Sequence, residues 1–181
     1  IYFCSYRSRN KLIKLKKKVE FKIAADGGSA SGKSTACNLI AKKFNMSFLS
    51  SGTLYRFCAL KLLENNYKCN KKFINKVAKS ITLSKLKNKN LYSQEVALLS
   101  AVIAKKLYVR KALKDFQKNF IKKSKLIIIE GRAIGSKIMP KAEIYGLDIS
   151  KYALENSKKE IRKNLILGSA TKLPWPDNYF D

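Results

Sequence analysis

The run Phe21-Lys22-Ile23-Ala24-Ala25-Asp26 leads directly into Gly27-Gly28-Ser29-Ala30-Ser31-Gly32-Lys33-Ser34-Thr35. The first six residues are largely apolar and are closed by two glycines, the pattern of a short strand. Ala36, Leu39, Ile40 and Phe44 then recur at helical spacing, which predicts a helix over 33–44. Gly27 to Ser34 between them fits G-x-x-x-x-G-K-[ST], a phosphate-binding loop. The glycines allow successive backbone N–H groups to curl around phosphate oxygens, and the helix that opens at Gly32 adds the positive end of its dipole. Lys33 is placed to reach the β- and γ-phosphates, and Ser34 to offer a hydroxyl to Mg²⁺. The flanking strand and helix separate this match from a chance Gly/Ser-rich turn. The stretch implies a site for a Mg²⁺-bound nucleoside triphosphate, with Gly27 through Thr35 as its candidate residues.

Such a site calls for an acid at a neighbouring strand end, to hold the metal or its waters. Glu130, after the apolar run Leu126-Ile127-Ile128-Ile129, is one candidate and Asp26 is the other. An uninterrupted apolar run suits a strand buried on both faces of a parallel sheet. Phe48-Leu49 is a third strand candidate. Leu54, Phe57, Cys58 and Leu62 mark a helix that Ser50 or Ser51 can cap. Val96, Leu99, Val102, Ile103 and Leu107 form one helical stripe, and Leu113, Phe116, Phe120 and Ile121 another, while residues 65–92 are Asn/Lys-rich and weakly patterned. The element order is α/β. After Pro140 come a strand over Glu143–Asp148, a helix from Ser150 to about Asn164, and a short strand at Leu165-Ile166-Leu167.

Composition narrows the chemistry. The chain has 181 residues, and its 39 Lys or Arg against 12 Asp or Glu give a net charge of +27. The absence of His excludes Ser-His-Asp and Cys-His triads and His-ligated metals. No stretch reaches the ~18 consecutive apolar residues of a membrane span. The four cysteines form no Cys-x-x-Cys pair, as expected of a reduced cytoplasmic protein. Only 6 of the basic residues are Arg, the lysines are spread along the chain, and Asn and Ile are abundant too. A/T-rich codons account for that profile, so it points to no specific nucleic-acid partner. Residues 1–18 are expected to be an unstructured basic tail or sequence upstream of the native start.

Further motifs carry a family resemblance. Leu49-Ser50-Ser51-Gly52-Thr53-Leu54-Tyr55-Arg56, Val109-Arg110 with Gln117, and Glu130-Gly131-Arg132-Ala133-Ile134-Gly135-Ser136 follow the loop in order. With it, residues about 20–144 resemble the bacterial cytidylate kinases, nucleoside monophosphate kinases of the P-loop class. The resemblance implies a parallel sheet with flanking helices and transfer of the ATP γ-phosphoryl group to CMP or dCMP. It implies ATP and Mg²⁺ as cofactors, Ser34 and Glu130 at the metal, and a monomer. Ser51, Gly52, Tyr55, Arg56, Arg110 and Arg132 fall on acceptor-site positions, and Lys33, Arg110 and Arg132 on catalytic ones. Three of the six arginines thus lie on family positions, where a guanidinium fork binds phosphate bidentately. Ser50 and Glu130 each replace a family Asp, and Ala133 replaces an Asp that helps recognise cytosine and ribose. The family continues into an Arg-rich lid that nothing after residue 144 resembles, so turnover is expected to suffer more than binding.

Residues 144–181 are similar instead to an internal part of class I S-adenosylmethionine-dependent methyltransferases. Ile144-Tyr145-Gly146-Leu147-Asp148 and Leu167-Gly168-Ser169-Ala170, continuing through Leu173-Pro174-Trp175 to Phe180-Asp181, carry that resemblance. It implies Asp148 on the cofactor ribose and a Rossmann-like fragment over 145–181, following the kinase-like domain of 19–144. Methyl transfer with S-adenosylmethionine is thus the alternative activity, and an inert nucleotide-binding hybrid a third reading. The glycine-rich loop of such enzymes is not matched by Met139-Pro140-Lys141-Ala142-Glu143.

Overall fold

The computed structural model describes residues 2–7, 20–28, 31–157, 159–169 and 172. Six strands form one sheet: β1 (Tyr2–Arg7), β2 (Phe21–Asp26), β3 (Ser47–Ser50), β4 (Leu126–Gly131), β5 (Glu143–Asp148) and β6 (Leu165–Leu167). Their spatial order is β3-β4-β2-β1-β5-β6. β3, β4 and β2 run parallel, as do β5 and β6. The α/β class, parallel strands and flanking helices agree with the sequence reading.

β4 sits between β3 and β2, and Ile127, Ile128 and Ile129 are fully buried. The two faces of this parallel core belong to different layers. Ile23, Ala25 and Ile128 pack with Cys37 and Ala41 of α1 (Lys33–Lys43). Ala24, Leu49 and Ile129 pack with Leu54, Phe57 and Cys58 of α2 (Ser51–Leu63). The alternation follows the two-residue period of a strand, and truncating either central isoleucine to Ala would cost about 2–5 kcal/mol.

The tail and the last helix depart from expectation. Tyr2–Arg7, expected within an unstructured tail, is a strand paired antiparallel to β2 on one side and β5 on the other. Residues 8–19 lie outside the described residues. The region 65–92 is more ordered than its lysines suggest. It holds α3 (Lys71–Lys79), which buries Ile74, Val77 and Ala78 and is capped by the Asn70 side chain, followed by two short 3₁₀ turns. The helix expected from Ser150 to Asn164 is broken.

The remaining helices are α4 (Gln94–Ile103), α5 (Leu107–Lys123), α6 (Ile134–Lys137), α7 (Lys151–Glu155) and α8 (Lys159–Arg162). The stripe drawn from Val96 to Leu107 spans two of them. Val96 and Ile103 are buried, whereas Leu107 opens α5 and is 79 % exposed. The break after α7 has a local cause. Ser157 Oγ donates to Leu154 O at 2.6 Å, and Arg162 Nη2 donates to Glu155 O and Ser157 O. These side chains take carbonyls that a continuous helix would use. Among the described residues no helix is long and apolar enough to cross a membrane.

Candidate active site

The C-terminal ends of three adjacent parallel strands converge, the usual place for a ligand in an open α/β sheet. In register, Ala25 pairs with Glu130, Asp26 with Gly131, and Ser50 with Glu130. The phosphate-binding loop leaves β2 here and turns into α1 through Gly32, whose φ of 77° is left-handed and favours glycine. Gly27 is also constrained: an added Cβ would lie 3.1 Å from Lys33 Cδ and 3.3 Å from Ser31 Oγ. Lys33 Nζ folds back over the loop and donates to the Gly28 carbonyl and, at 3.3 Å, to Ser31 Oγ. Ser31 Oγ itself donates to Gly28 O at 3.1 Å. An incoming phosphate oxygen would replace that carbonyl as the partner of Lys33. Ser29 and Ala30 lie outside the described residues, and Thr35 is exposed one position beyond Ser34.

Glu130 is the pivot of the donor side. It is 5 % exposed. Ser34 Oγ donates to its two oxygens at 2.9 and 3.0 Å, and Ser50 Oγ donates at 2.6 Å. Ser50 therefore stands at the N-cap of α2 without capping it: its hydroxyl is turned to Glu130. Asp26, the other candidate acid, is tied elsewhere. Its oxygens accept the N–H groups of Ile134 at 2.6 Å and Gly135 at 2.8 Å, clamping the turn after β4 to the strand of the loop. A buried carboxylate held only by hydroxyls is a poor resting place for a charge. Hard oxygens of this kind suit a divalent cation such as Mg²⁺, and Ser34 and Glu130 supply them side by side. Cys37 lies behind them, its thiol pushed up to about 12 by burial and then by the Glu130 charge, with Lys33 opposing. It is a core residue and not a nucleophile.

The acceptor-side candidates surround the same cleft. Its volume is about 1610 Å³, above the roughly 300–1,000 Å³ typical of a single small-molecule pocket. Gly27, Gly28, Lys33, Ser34 and Glu130 line it together with Ser51, Gly52, Tyr55, Arg56, Arg110 and Arg132. Arg56 Nη1 donates to Leu91 O at 3.0 Å, and its guanidinium lies 5.3 Å from the Tyr92 ring centroid. Arg110 Nε donates to Ala104 O at 2.5 Å. Burial pushes the Tyr55 phenol up, while the nearby Arg110 charge pulls it back in part. Arg132 is exposed and has no hydrogen-bond partner among the described residues. It follows Gly131, where an added Cβ would sit 2.8 Å from Ser51 Cβ and 2.9 Å from Ile134 Cδ1. That contact presses the end of β4 against the start of α2 and requires a glycine. Ala133 beside it holds a φ of 59°.

Sequence reasoning missed part of this wall. Lys114 also lines the cleft, on the α5 face that carries Arg110, as does Gln117, which the sequence marked only as part of the motif with Val109-Arg110. Their i, i+4, i+7 spacing was the available signal. The lining contains nine Lys or Arg and one acid, Glu130, which makes the cleft a receptor for polyanions.

The described methyltransferase-like residues do not line this cleft. Asp148 Oδ1 accepts the N–H of Ser150 at 2.9 Å, and Ser150 Oγ caps α7 through Ala153 N. Ala170, Thr171 and residues 173–181 lie outside the described residues.

Two family models match overlapping parts of the chain. The cytidylate kinase family model matches residues 23–153, and a methyltransferase domain model matches residues 131–181. The chain is 34 % identical to the cytidylate kinase of Fusobacterium nucleatum subsp. nucleatum over 134 positions, covering 67 % of this chain and 61 % of that one. It is 31 % identical to the cytidylate kinase of Mycoplasmopsis synoviae over 158 positions, covering 81 % and 72 %. It is 33 % identical to that of Thermosipho melanesiensis, covering 68 % and 60 %. The chain thus spans about three-fifths to three-quarters of these relatives' lengths. With a family match over most of its residues, the chain belongs to the cytidylate kinase family.

Proposed function

We propose that this cleft binds Mg²⁺-ATP against the loop and CMP or dCMP against the arginines, for transfer of the γ-phosphoryl group between them. The observation that carries the reading is the junction at Glu130, where the loop hydroxyl of Ser34 meets a buried carboxylate facing three scarce arginines across one cavity. Backbone N–H groups of the loop and the start of α1 hold the triphosphate, and Lys33 exchanges the Gly28 carbonyl for phosphate oxygens. Ser34 and Glu130 hold Mg²⁺, which neutralises charge on the phosphates. Arg56, Arg110 and Arg132 fix the acceptor phosphate in line. Such transfer rests on positioning and electrostatics, so the lack of a general base in the cleft is no obstacle.

The polypeptide after β5 adds little to that machinery. Among the described residues its one arginine, Arg162, bonds the carbonyls after α7 and does not line the cleft. A transition-state arginine can be worth on the order of 10³-fold or more in rate. The described residues after β5 supply no cation to the cleft. The chain acts as a soluble cytoplasmic monomer with no specific nucleic-acid partner.

The loop assignment is tested by thermal unfolding. ATP with Mg²⁺ should raise the melting temperature of the wild type, because a ligand stabilises the state that binds it. Lys33→Ala should abolish the shift. Equal shifts at matched Mg²⁺ and salt would reject the assignment.

A further inference from the structure

Within the proposed acceptor site, on which this inference rests, we propose that the ring of Tyr92 is the platform on which the base of the acceptor nucleotide stacks. Tyr92 lines the same cleft as Arg56, Arg110 and Arg132. It is 63 % exposed, so a ligand in the cleft reaches its ring. The other aromatic side chains of the lining, Phe48 and Tyr55, are partly buried against the two cores. A single exposed tyrosine on an open surface calls for no ligand. Three features set this one apart.

The first is how the residue is held. Tyr92 ends the 3₁₀ turn Lys89–Tyr92, which is pinned on both sides. Leu91 before it is fully buried. The Asn88 side chain accepts the N–H of Asn90 at 2.9 Å at the start of the turn. The Ser93 hydroxyl after it accepts the N–H of Val96 at 3.3 Å and caps α4. The backbone is thus fixed while the ring stays open, and a ligand meets a surface that needs little further ordering.

The second is its neighbour. The Arg56 guanidinium lies over the ring, 5.3 Å from its centroid, while Arg56 Nη1 donates to Leu91 O at 3.0 Å. The ring therefore stands one side chain away from a guanidinium proposed for the acceptor phosphate. A ring has two faces, and one guanidinium covers only one of them. A nucleotide whose phosphate draws on Arg56 carries its base into the same part of the cleft. The third is the lining around it. Leu83, Leu86, Ala101, Ala104 and Ser100 line the cleft from the stretch 83–104 that carries Tyr92. A base is apolar on its faces and polar at its edge, and this stretch offers apolar and hydrogen-bonding groups beside an aromatic plane. A base stacks readily on such a plane, whichever base it is.

The test is calorimetry on the full chain with CMP and with ribose 5-phosphate, which carries the phosphate and no base. The affinity of ribose 5-phosphate is read from its displacement of CMP. In Tyr92→Ala the affinity for CMP should fall about tenfold or more, and that for ribose 5-phosphate should not change. Tyr92→Phe keeps the ring and should keep both affinities. The ATP-induced melting shift should be the same in all three proteins. Tyr92→Gln also removes the ring and serves if the Ala variant does not fold. Unchanged CMP affinity in Tyr92→Ala overturns the proposal. So does an equal loss for CMP and ribose 5-phosphate, which makes the ring a support for Arg56 alone. A loss in Tyr92→Phe as large as in Tyr92→Ala overturns it by assigning the effect to the hydroxyl. A loss confined to the ATP shift overturns it by placing the ring at the donor base. A wild type that binds no CMP overturns the kinase reading itself, which separates the two failures.

Discussion

Around Glu130 the polar atoms are already engaged with one another: Ser34 at 2.9 Å, Ser50 at 2.6 Å, and Asp26 nearby clamped on two backbone N–H groups. Across the cleft the arginines are parked. Arg56 holds the Leu91 carbonyl, Arg110 holds that of Ala104, and Arg132 holds none among the described residues. The donor half is built from strand ends whose backbone register fixes each side chain. The acceptor half is built from long side chains, Arg56 and Arg110 on helices and Arg132 on the turn after β4, each of which must leave a carbonyl or be ordered when a phosphate arrives. Ordering such a side chain costs about 0.5–1.5 kcal/mol. Lys33 apart, which must also leave a carbonyl, that of Gly28, the proposed triphosphate side is therefore pre-organised, and the proposed monophosphate side is assembled by its ligand.

The largest expected effect comes from Glu130→Gln. Removing the charge should abolish the Mg²⁺-dependent part of the ATP-induced melting shift. It should not lower the melting temperature without ligand, because a buried carboxylate without a cationic partner destabilises its surroundings. An unchanged Mg²⁺ dependence would show that the metal lies elsewhere. Arg132→Lys comes next. It keeps the charge and loses the fork, so CMP affinity measured by calorimetry should fall about tenfold while the ATP shift is untouched. Equal losses for both ligands would dissolve the distinction between the halves. The smallest effect concerns the turn that carries Arg132. Ala133 has a φ of 59°, a conformation costing a non-glycine residue about 1–2 kcal/mol. Glycine relieves that and loses about 0.5–1 kcal/mol of backbone entropy. Ala133→Gly should thus raise the melting temperature by about 1–2 °C. A lower melting temperature would mean that the Ala133 methyl is a packing contact.

The strand, loop and helix from Phe21 to Lys43 were legible because their signals are local: an apolar run, glycines where the backbone must turn, and helical periodicity. The arginines were legible because they are rare in a Lys-rich chain. Other features depend on partners distant in sequence. Tyr2–Arg7 becomes a strand by inserting between β2 and β5, a pairing that its own residues do not announce. Asp26 and Glu130 read alike as strand-end acids until the turn at Ile134 and Gly135, distant in sequence, claims Asp26. Ser50 reads as a helix cap until the carboxylate of Glu130 is placed 2.6 Å away. In α3 the Ile74, Val77, Ala78 spacing was present but lay among lysines that dilute any averaged pattern.

One cleft should offer two independent anion sites. The direct measurement is calorimetric titration of CMP into the chain, first alone and then with saturating Mg²⁺ and a non-hydrolysable ATP analogue. One CMP should bind per chain in both titrations, with affinity not weakened by the analogue. Competition, in which the analogue displaces CMP from a single shared site, would contradict it.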